Sequence, residues 1–568
     1  MIDKRMKVFE GTRFDNIRDV INNAIEKYPD NNAFIIKDKN KEYKYITYKT
    51  LGEEINSLGT AFINKGLKGK RIAVIGKNRY EWMLAHIAVI NGTGISVPLD
   101  KGLPKNEIEY SLEKSKADAI VFEKEYIDVI KEIKNNGKTN IKEYFCMDEN
   151  DEFESLQKLI EKGKKLLEDG NKEYLESKID SKAMGILLFT SGTTSASKAV
   201  MLSHYNITTN IYQLTLSEDI RSTDVNMAFL PFHHTFGSTG TILFLSHGAT
   251  NVFCDGLRYI QKNLVEYKVT AFVCVPLLIE SIYKKIIQEI EKTGMDKKVK
   301  FGIKLSRFLL KFKIDIRRKL FKEVIEKLGG GIRSVISGAS SLDPKVAQGF
   351  RNFGIEVYQG YGLTETAPVV LAESPKAIKM GSVGLPMPEM EVKIDNPNEE
   401  GIGEIIAKGD NVMMGYYENE EETNNVLKDG WFYTGDLGYK DKDGFFFITG
   451  RKKNVIVLKN GKNVYPEELE ILIGNLPYVA ESMVFGKEKG DDLVVSAKIV
   501  YNKEYMKEKY PNKSQKDIED MVWEDIKNIN NTVPTYKHIK NIIVTDEAMI
   551  KTTTAKVKRF EEIKKIND

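Results

Sequence analysis

Between residues 71 and 100 the chain reads RIAVIGKN, then YEWMLAHIAVI from Tyr80, then GISVPLD from Gly94. The first is a short β-rich run closed by a glycine. The second is an apolar stretch of helical length, and the third is another β-rich run. Two strands joined through a helix pair in parallel, so this unit demands a parallel sheet covered by helices. A similar alternation recurs at 269–283, 332–358 and 391–407. Upstream, Ile17, Val20, Ile21, Ala24 and Ile25 share one helical face, with Asp15 as the expected N-cap and Pro29 as the stop. Residues 101–182 are Lys/Glu-rich and read as surface helices. Near Arg451 the character changes to a compact, Gly-punctuated stretch, RKKNVIVLKNGKNVYPEELE, followed by another αβ pattern. The expected fold class is therefore α/β. A large multi-subdomain N-terminal body (1–452) has mixed and parallel sheets flanked by helices plus a β subdomain. A small α+β C-terminal domain (453–568) follows.

Charge and composition remove several function classes. The 568 residues carry 85 basic and 82 acidic side chains, a net +3, so no domain-wide basic excess marks a nucleic-acid binder. Cys146, Cys254 and Cys274 form no CxxC pair and read as reduced, buried thiols. The N-terminus lacks the apolar core of a signal peptide, and no run approaches the ~20 apolar residues of a membrane span. The expected location is cytoplasmic, with membrane association kept open for one segment described below.

Four stretches carry chemistry. In ILLFTSGTTSASKAVMLSH (186–204) an apolar strand runs into Thr190, Ser191, Gly192, Thr193 and Thr194, with Lys198 beyond. Hydroxyls, backbone N–H groups and a lysine after a strand form a phosphate cradle. Lys198 has no preceding Gly and no following Ser/Thr, so this is not the GxxxxGK[ST] loop of phosphate-loop ATPases and kinases. In VYQGYGLTETAPVV (357–370), Tyr361 offers a ring for a nucleobase, Thr364 a hydroxyl for a phosphate oxygen, and Glu365 a hard carboxylate for Mg²⁺. Upstream, IRSVISGASSL (332–342) is a strand ending in small residues that let a flat base approach the backbone. In GWFYTGDLGYKDKDGFFFITGRKKNVI (430–456), KDKDG is a hairpin signal between aromatic strands. Asp436 there can accept from both ribose hydroxyls, and Arg451 can serve the same sugar. In IKTTTAKVKRFEE (550–562), Lys556 lies in a Thr-rich loop before a terminal helical run.

In this order, and over essentially the whole chain, these stretches resemble the adenylate-forming (AMP-binding) superfamily and, within it, the long-chain fatty acyl-CoA synthetases. The resemblance implies a two-step ligase: a carboxylate attacks the α-phosphate of ATP, and a thiol, usually that of coenzyme A, then displaces AMP. It implies that Thr190–Thr194 and Lys198 hold the β,γ-phosphates. Thr364 contacts the α-phosphate, and Glu365 with Thr190 holds Mg²⁺. Gly338, Ala339 and Tyr361 frame adenine, Ser340 and Gly362 count with the cofactor-binding residues, Asp436 and Arg451 hold ribose, and Lys556 bridges carboxylate and α-phosphate. Lys453 is the implied hinge, and Gly461 the turn brought to the thiol channel by domain rotation. The sequence departs from the family pattern at Ser195, Ser197 and Ala199 in the phosphate loop and at Ala555 before the lysine. Any of these at φ > 0 costs roughly 1 kcal/mol or more.

FLPFHHTFGSTGTILFLSHG (229–248) resembles the family's acyl pocket, with His234 as the gate. Gly237 and Gly362 are expected to line an open channel that favours a longer chain. Adjacent His233 and His234 lack a third ligand and do not read as a zinc site. Segment 284–327 holds fifteen Lys or Arg against six Asp or Glu, interleaved with Phe301, Leu305, Phe308, Leu309, Phe312, Ile316, Leu320 and Phe321. Its apolar face either joins the core or meets an anionic surface, a membrane or a ligand's phosphates. In the membrane case, Arg317, Arg318 and Lys319 are natural positions to neutralise. The expected partners are a fatty acid, ATP and coenzyme A. An acyl carrier protein is the alternative thiol donor, peripheral membrane contact is expected through 284–327, and no nucleic acid is expected. A non-catalytic acyl-adenylate binder is the remaining reading.

Overall fold

The computed structural model describes residues 3–38, 40–190, 198–459, 462–489, 492–551 and 557–567. Helix α1 (Ile17–Lys27) buries Ile17, Val20, Ile21 and Ala24, as its periodicity dictates. Its cap is Asn16 rather than Asp15: the Asn16 side chain accepts the Asp19 amide, one of the donors a helix start leaves open. Strand β1 (Lys70–Ile75), helix α2 (Tyr80–Ala88) and strand β2 (Gly94–Leu99) follow in the expected order. β1 and β2 pair in parallel, Ile72 opposite Ser96. Ala73, Ile75, Val97 and Leu99 enter one core with Ile120 and Phe122. Burying each larger side chain of this kind contributes about 1.5–3 kcal/mol.

β2 also pairs in parallel with β3 (Met184–Thr190), and β3 pairs antiparallel with β4 (Lys198–Ser203). The register sets Thr190 opposite Lys198. This eight-stranded sheet runs Gly415–Tyr416, β4, β3, β2, β1, Ala119–Phe122, Glu143–Cys146, Glu154–Ser155. The Lys/Glu-rich region 101–182 supplies its last three strands as well as the expected helices.

The basic segment forms helices α3 (Pro276–Lys292), α4 (Asp296–Leu310) and α5 (Arg317–Leu320). Strand β5 (Ser334–Ser337), helix α6 (Pro344–Asn352) and strand β6 (Glu356–Gly362) make a second parallel unit, Ser337 opposite Gln359. These strands belong to a nine-stranded sheet that is parallel through its centre and antiparallel at its edges. The stretch 391–407 differs from expectation: Glu391–Asp395 and Gly403–Lys408 are neighbouring strands with no helix between them.

The chain divides into two compact units. The first comprises the described residues of Met1–Thr190, Ser197–Val392 and Ala407–Phe432. The second comprises those of Lys393–Ile406 and Tyr433–Asp568. β7 (Trp431–Lys440), from Tyr433 on in the second unit, and β8 (Phe446–Arg451) form the expected hairpin. Strands β9 (Val479–Lys489), β10 (Asp492–Tyr501) and β11 (Asn541–Thr545) form a three-stranded sheet, and helix α7 (Arg559–Asn567) ends the chain. Cys146 and Cys274 are buried and Cys254 is half-buried, all as free thiols. Among the described residues no helix is long and apolar enough to cross a membrane.

Candidate functional site

In the first unit, the carboxyl ends of β5 and β6 lie side by side, where α/β sheets leave a crevice for ligands. Gly338 follows β5. A Cβ on it would meet the Phe236 ring at 3.0 Å and the Gly360 carbonyl at 3.2 Å, a tight fit that a glycine relieves. Ala339 next to it adopts φ +72° and, with Ser340, is exposed. Tyr361 sits at the end of β6, half-exposed. The expected adenine-framing residues thus converge on one edge.

From that edge the chain turns through Thr364–Thr366. The Glu365 carbonyl accepts the Met413 amide at 2.8 Å, which fixes the turn. The Tyr416 hydroxyl donates to Glu365 Oε1 at 2.9 Å. Burial first, and then the Glu365 charge, push the Tyr416 phenol well above its ordinary pKa, so it stays a donor at neutral pH. Lys198 Nζ lies 4.9 Å from the centre of the same ring and pairs with Glu422 Oε2 at 2.5 Å. The Thr190 hydroxyl donates to the Lys198 carbonyl at 3.2 Å. Lys198, Glu365 and Tyr416 therefore form one polar cluster shortly after the end of β6, with Thr190 held to the Lys198 backbone. Glu365 stands without two companion ligands: among the described residues no three His, Cys, Asp or Glu converge as a metal cage. A single carboxylate suits Mg²⁺ that arrives held mainly by phosphates. Tyr416 and Glu422 were not singled out from the sequence. The only signal was an acidic run, Glu420–Glu422, shortly after two tyrosines.

Ser191, Gly192, Thr193, Thr194, Ser195 and Ser197 lie outside the described residues, as do Gly461, Ala555 and Lys556.

In the second unit, Asp436 and Arg451 face each other across β7 and β8 and form an ion pair, Nε to Oδ1, of 2.8 Å. Asp436 is nearly buried. Its amide donates to Thr434 Oγ1, which itself donates to the Ile405 carbonyl. Lys453 is exposed on the next turn, Lys452–Asn454. Two contacts hold the ends of the segment carrying Lys556. Lys551 and Val557 pair across it. The Glu562 carboxylate accepts the Ile550 amide at 2.7 Å and pairs with buried Lys498 at 2.7 Å.

The acyl-pocket reading needs correction in part. His234 precedes the helix Thr235–Ser246, half-buried, its ring 4.2 Å from that of His233. His233 is buried, 3.4 Å from Asp100. Gly362 and Gly237 do not open a channel. A Cβ on Gly362 would sit 1.8 Å from the Pro368 carbonyl oxygen, and one on Gly237 2.3 Å from that of Pro231. Both glycines are set by backbone passing backbone, and neither speaks to the length of an acid.

Comparison with known proteins adds family to geometry. The AMP-binding enzyme family matches residues 21–417, and the AMP-binding enzyme C-terminal domain matches residues 453–566. Long chain acyl-CoA synthetase 4 of Arabidopsis thaliana is 28% identical over 520 residues, 85% of this chain and 78% of the relative. Fatty acyl-CoA synthetase A of Dictyostelium discoideum is 30% identical over 501 residues, 83% of this chain and 75% of the relative. The crystal structure of the anthranilate CoA ligase AuaEII with anthranoyl-AMP superposes with a TM-score of 0.78. It shares 19% identity and covers 98% of each chain, a likeness of fold.

Proposed function

This chain belongs to the AMP-binding enzyme family, which matches well over half its length, and from that premise we propose an ATP-dependent, AMP-forming ligase that joins a long-chain fatty acid to the thiol of coenzyme A. The observation that carries the reading is the polar cluster of Lys198, Tyr416 and Glu365 beside the paired ends of β5 and β6. A cation and a carboxylate this close to the strand ends support a reading in which the base lies at Ala339 and Tyr361 and the triphosphate meets Lys198 and Glu365.

In the first step a carboxylate oxygen of the acid attacks the α-phosphorus, and the bond to the bridging oxygen breaks to release pyrophosphate. The reaction needs neutralisation of phosphoryl charge more than a base. Lys198 and the 190–194 loop take the β,γ-phosphates, Thr364 the α-phosphate, and Asp436 with Arg451 the ribose. Glu365, with Thr190, would hold Mg²⁺, which spreads phosphate charge when bound. Lys556 bridges carboxylate and α-phosphate in this step. In the second step the thiol sulfur attacks the acyl carbonyl carbon and AMP leaves. Rotation of 453–568 about Lys453 withdraws Lys556 and presents Gly461 between the two steps. His234 gates the acyl end. Fatty acids partition into membranes, so the reading includes peripheral contact with an anionic membrane through 284–327.

A pyrophosphate-release assay over a panel of acids of increasing length tests this. Release that requires both a carboxylate and coenzyme A, and rises with chain length, is the expected result. Phosphate release without any acid would show an ATPase instead. Acyl-AMP that discharges only onto a carrier protein would replace coenzyme A as acceptor.

A further inference from the structure

Helix α4 inverts the usual arrangement of an amphipathic helix. Its buried positions are small: Gly302 and Ser306. A Cβ on Gly302 would meet Leu320 at 3.0 Å and the Phe321 ring at 3.2 Å, so the helix lies close against both on this face. Its aromatic residues and Leu305 turn outward, while Val299, Ile303, Leu309 and Leu310 are half-buried. Phe301 is 68% exposed, Leu305 37%, Phe308 56% and Phe312, just past the helix end, 62%. At 3.6 residues per turn these four fall within about 60° of arc, a continuous stripe. Phe308 and Phe312 meet edge to face at 5.3 Å, which keeps the stripe together on the surface.

The charges around the stripe are of one sign. Residues 297–314 contain seven Lys or Arg and no Asp or Glu. Lys297, Lys300, Lys304 and Lys311 flank the stripe on one side and Lys298 on the other. None of these five makes an ion pair among the described residues, whereas Lys105 and Lys116 elsewhere on the surface pair with Glu132 and Glu418. Arg317 and Arg318, which the sequence offered as surface contacts, are engaged inward. Arg317 donates to the Arg351 carbonyl at 2.6 Å and pairs with Glu356, and Arg318 donates to the Ile332 carbonyl at 2.6 Å. They fix α5 beneath α4 rather than face a partner.

We propose that α4 is a membrane-docking helix: Phe301, Leu305, Phe308 and Phe312 enter the headgroup–acyl boundary of an anionic bilayer while the flanking lysines bind its phosphates. Charge complementarity selects this occupant. Aromatic and leucine side chains exposed between unpaired lysines match an interface that is apolar below and anionic above. A protein groove for the same face would need acidic walls around an apolar floor, and a second copy of this face would set lysine against lysine. The inference deepens the ligase reading by placing the enzyme at the layer where fatty acids collect, and it rests on that reading only for its purpose.

Flotation of the full-length protein with phosphatidylcholine vesicles, with and without roughly 30% phosphatidylglycerol, tests it. Binding to the anionic vesicles alone is expected. Lys297→Gln with Lys304→Gln and Lys311→Gln should lower partitioning on the order of 100-fold. Phe301→Ser with Phe308→Ser and Phe312→Ser should lower it at least ~10-fold. Lys158→Gln with Lys164→Gln and Lys178→Gln, an equal charge change on exposed residues elsewhere, should change it little. A Phe308→Trp variant should shift its emission to the blue on anionic vesicles and be quenched by brominated lipid. No flotation, equal binding to neutral vesicles, an equal loss in the control triple, or emission from the Phe308→Trp variant that brominated lipid leaves unquenched would each overturn the proposal. So would vesicle-free self-association that Phe308→Ser abolishes, which would assign the face to a second copy. Pyrophosphate release with detergent-dispersed acid, measured without vesicles, keeps the two readings apart. Flotation with no turnover defeats the ligase alone, and turnover with no flotation defeats the docking helix alone.

Discussion

Lys198 meets Glu422 at 2.5 Å in the first unit, and Lys498 meets Glu562 at 2.7 Å in the second, but the surroundings of the two pairs differ. The Lys198 and Glu422 side chains are 29% and 39% exposed; those of Lys498 and Glu562 are 6% and 0% exposed. Water screens the first pair and offsets part of the cost of separating it, so it is a contact a phosphate can displace. The second pair has no such exchange. Its members were desolvated together, and each needs the other. Glu562 also takes the Ile550 amide, so the buried pair fixes the base of the segment that carries Lys556. Similar distances therefore serve opposite ends: one pair holds a lysine ready to change partners, and the other holds a frame still.

The largest effect that tests this contrast is Lys498→Met. It strands a carboxylate in the interior and should destabilise the second unit by about 3–5 kcal/mol. Lys498→Met combined with Glu562→Leu should recover part of that loss, because a matched apolar pair needs no solvation although the Ile550 amide loses its acceptor. Chemical denaturation followed by a probe in the second unit measures both. A single substitution costing under about 1 kcal/mol would place this pair in the same class as the exposed one.

Lys198→Ala should do the reverse. Adenylation falls on the order of 100-fold, the usual loss for one group aimed at a phosphoryl transition state, while the melting temperature stays within a degree or two. Isotope exchange between pyrophosphate and ATP reads the first step without the second. An unchanged exchange rate would remove Lys198 from the phosphate site.

The pairs also differ in how much of each was visible before folding. The strand–helix–strand order from Arg71 to Asp100 was legible, since β-branched runs and a following glycine act locally. Lys198, Glu365, Asp436 and Arg451 could be singled out because the stretches that hold them resemble, in the same order, the motifs of the AMP-binding family. Glu422 and Lys498 were not. Each partner lies far along the chain, 224 residues from Lys198 and 64 from Glu562, and nothing local marks the meeting. Gly362 and Gly237 were misread because a glycine beside a cavity and a glycine under a carbonyl look the same in sequence. Periodicity grouped Phe301, Leu305, Phe308 and Phe312 on one side of α4, but it does not say which side turns inward; in the structure the small residues Gly302 and Ser306 are the buried ones.

Acid should separate the pairs a second way. Burial raises the Glu562 pKa, but the bonds from Lys498 and the Ile550 amide outweigh it and hold the carboxyl below its ordinary value. Its stabilisation is therefore complete above the unfolded value of about 4.3 and is lost as pH falls through the lower, folded value. The melting-temperature gap between wild type and Glu562→Gln should be constant from neutral pH to about pH 5 and narrow as pH falls below the unfolded value of about 4.3.

The smallest effect is the sharpest test of displacement. If Glu422 competes with the phosphates for Lys198, removing its charge should help ATP bind. Glu422→Gln keeps the shape and a weak hydrogen bond but ends the ionic competition, and an exposed pair of this kind is worth at most ~1 kcal/mol. The KM for ATP should fall by up to about fivefold with kcat nearly unchanged, and the gain should shrink in high salt, which already screens the pair. A rise in KM would mean that Glu422 positions Lys198 for the phosphates instead of withholding it, and the exposed pair would then be a frame like the buried one.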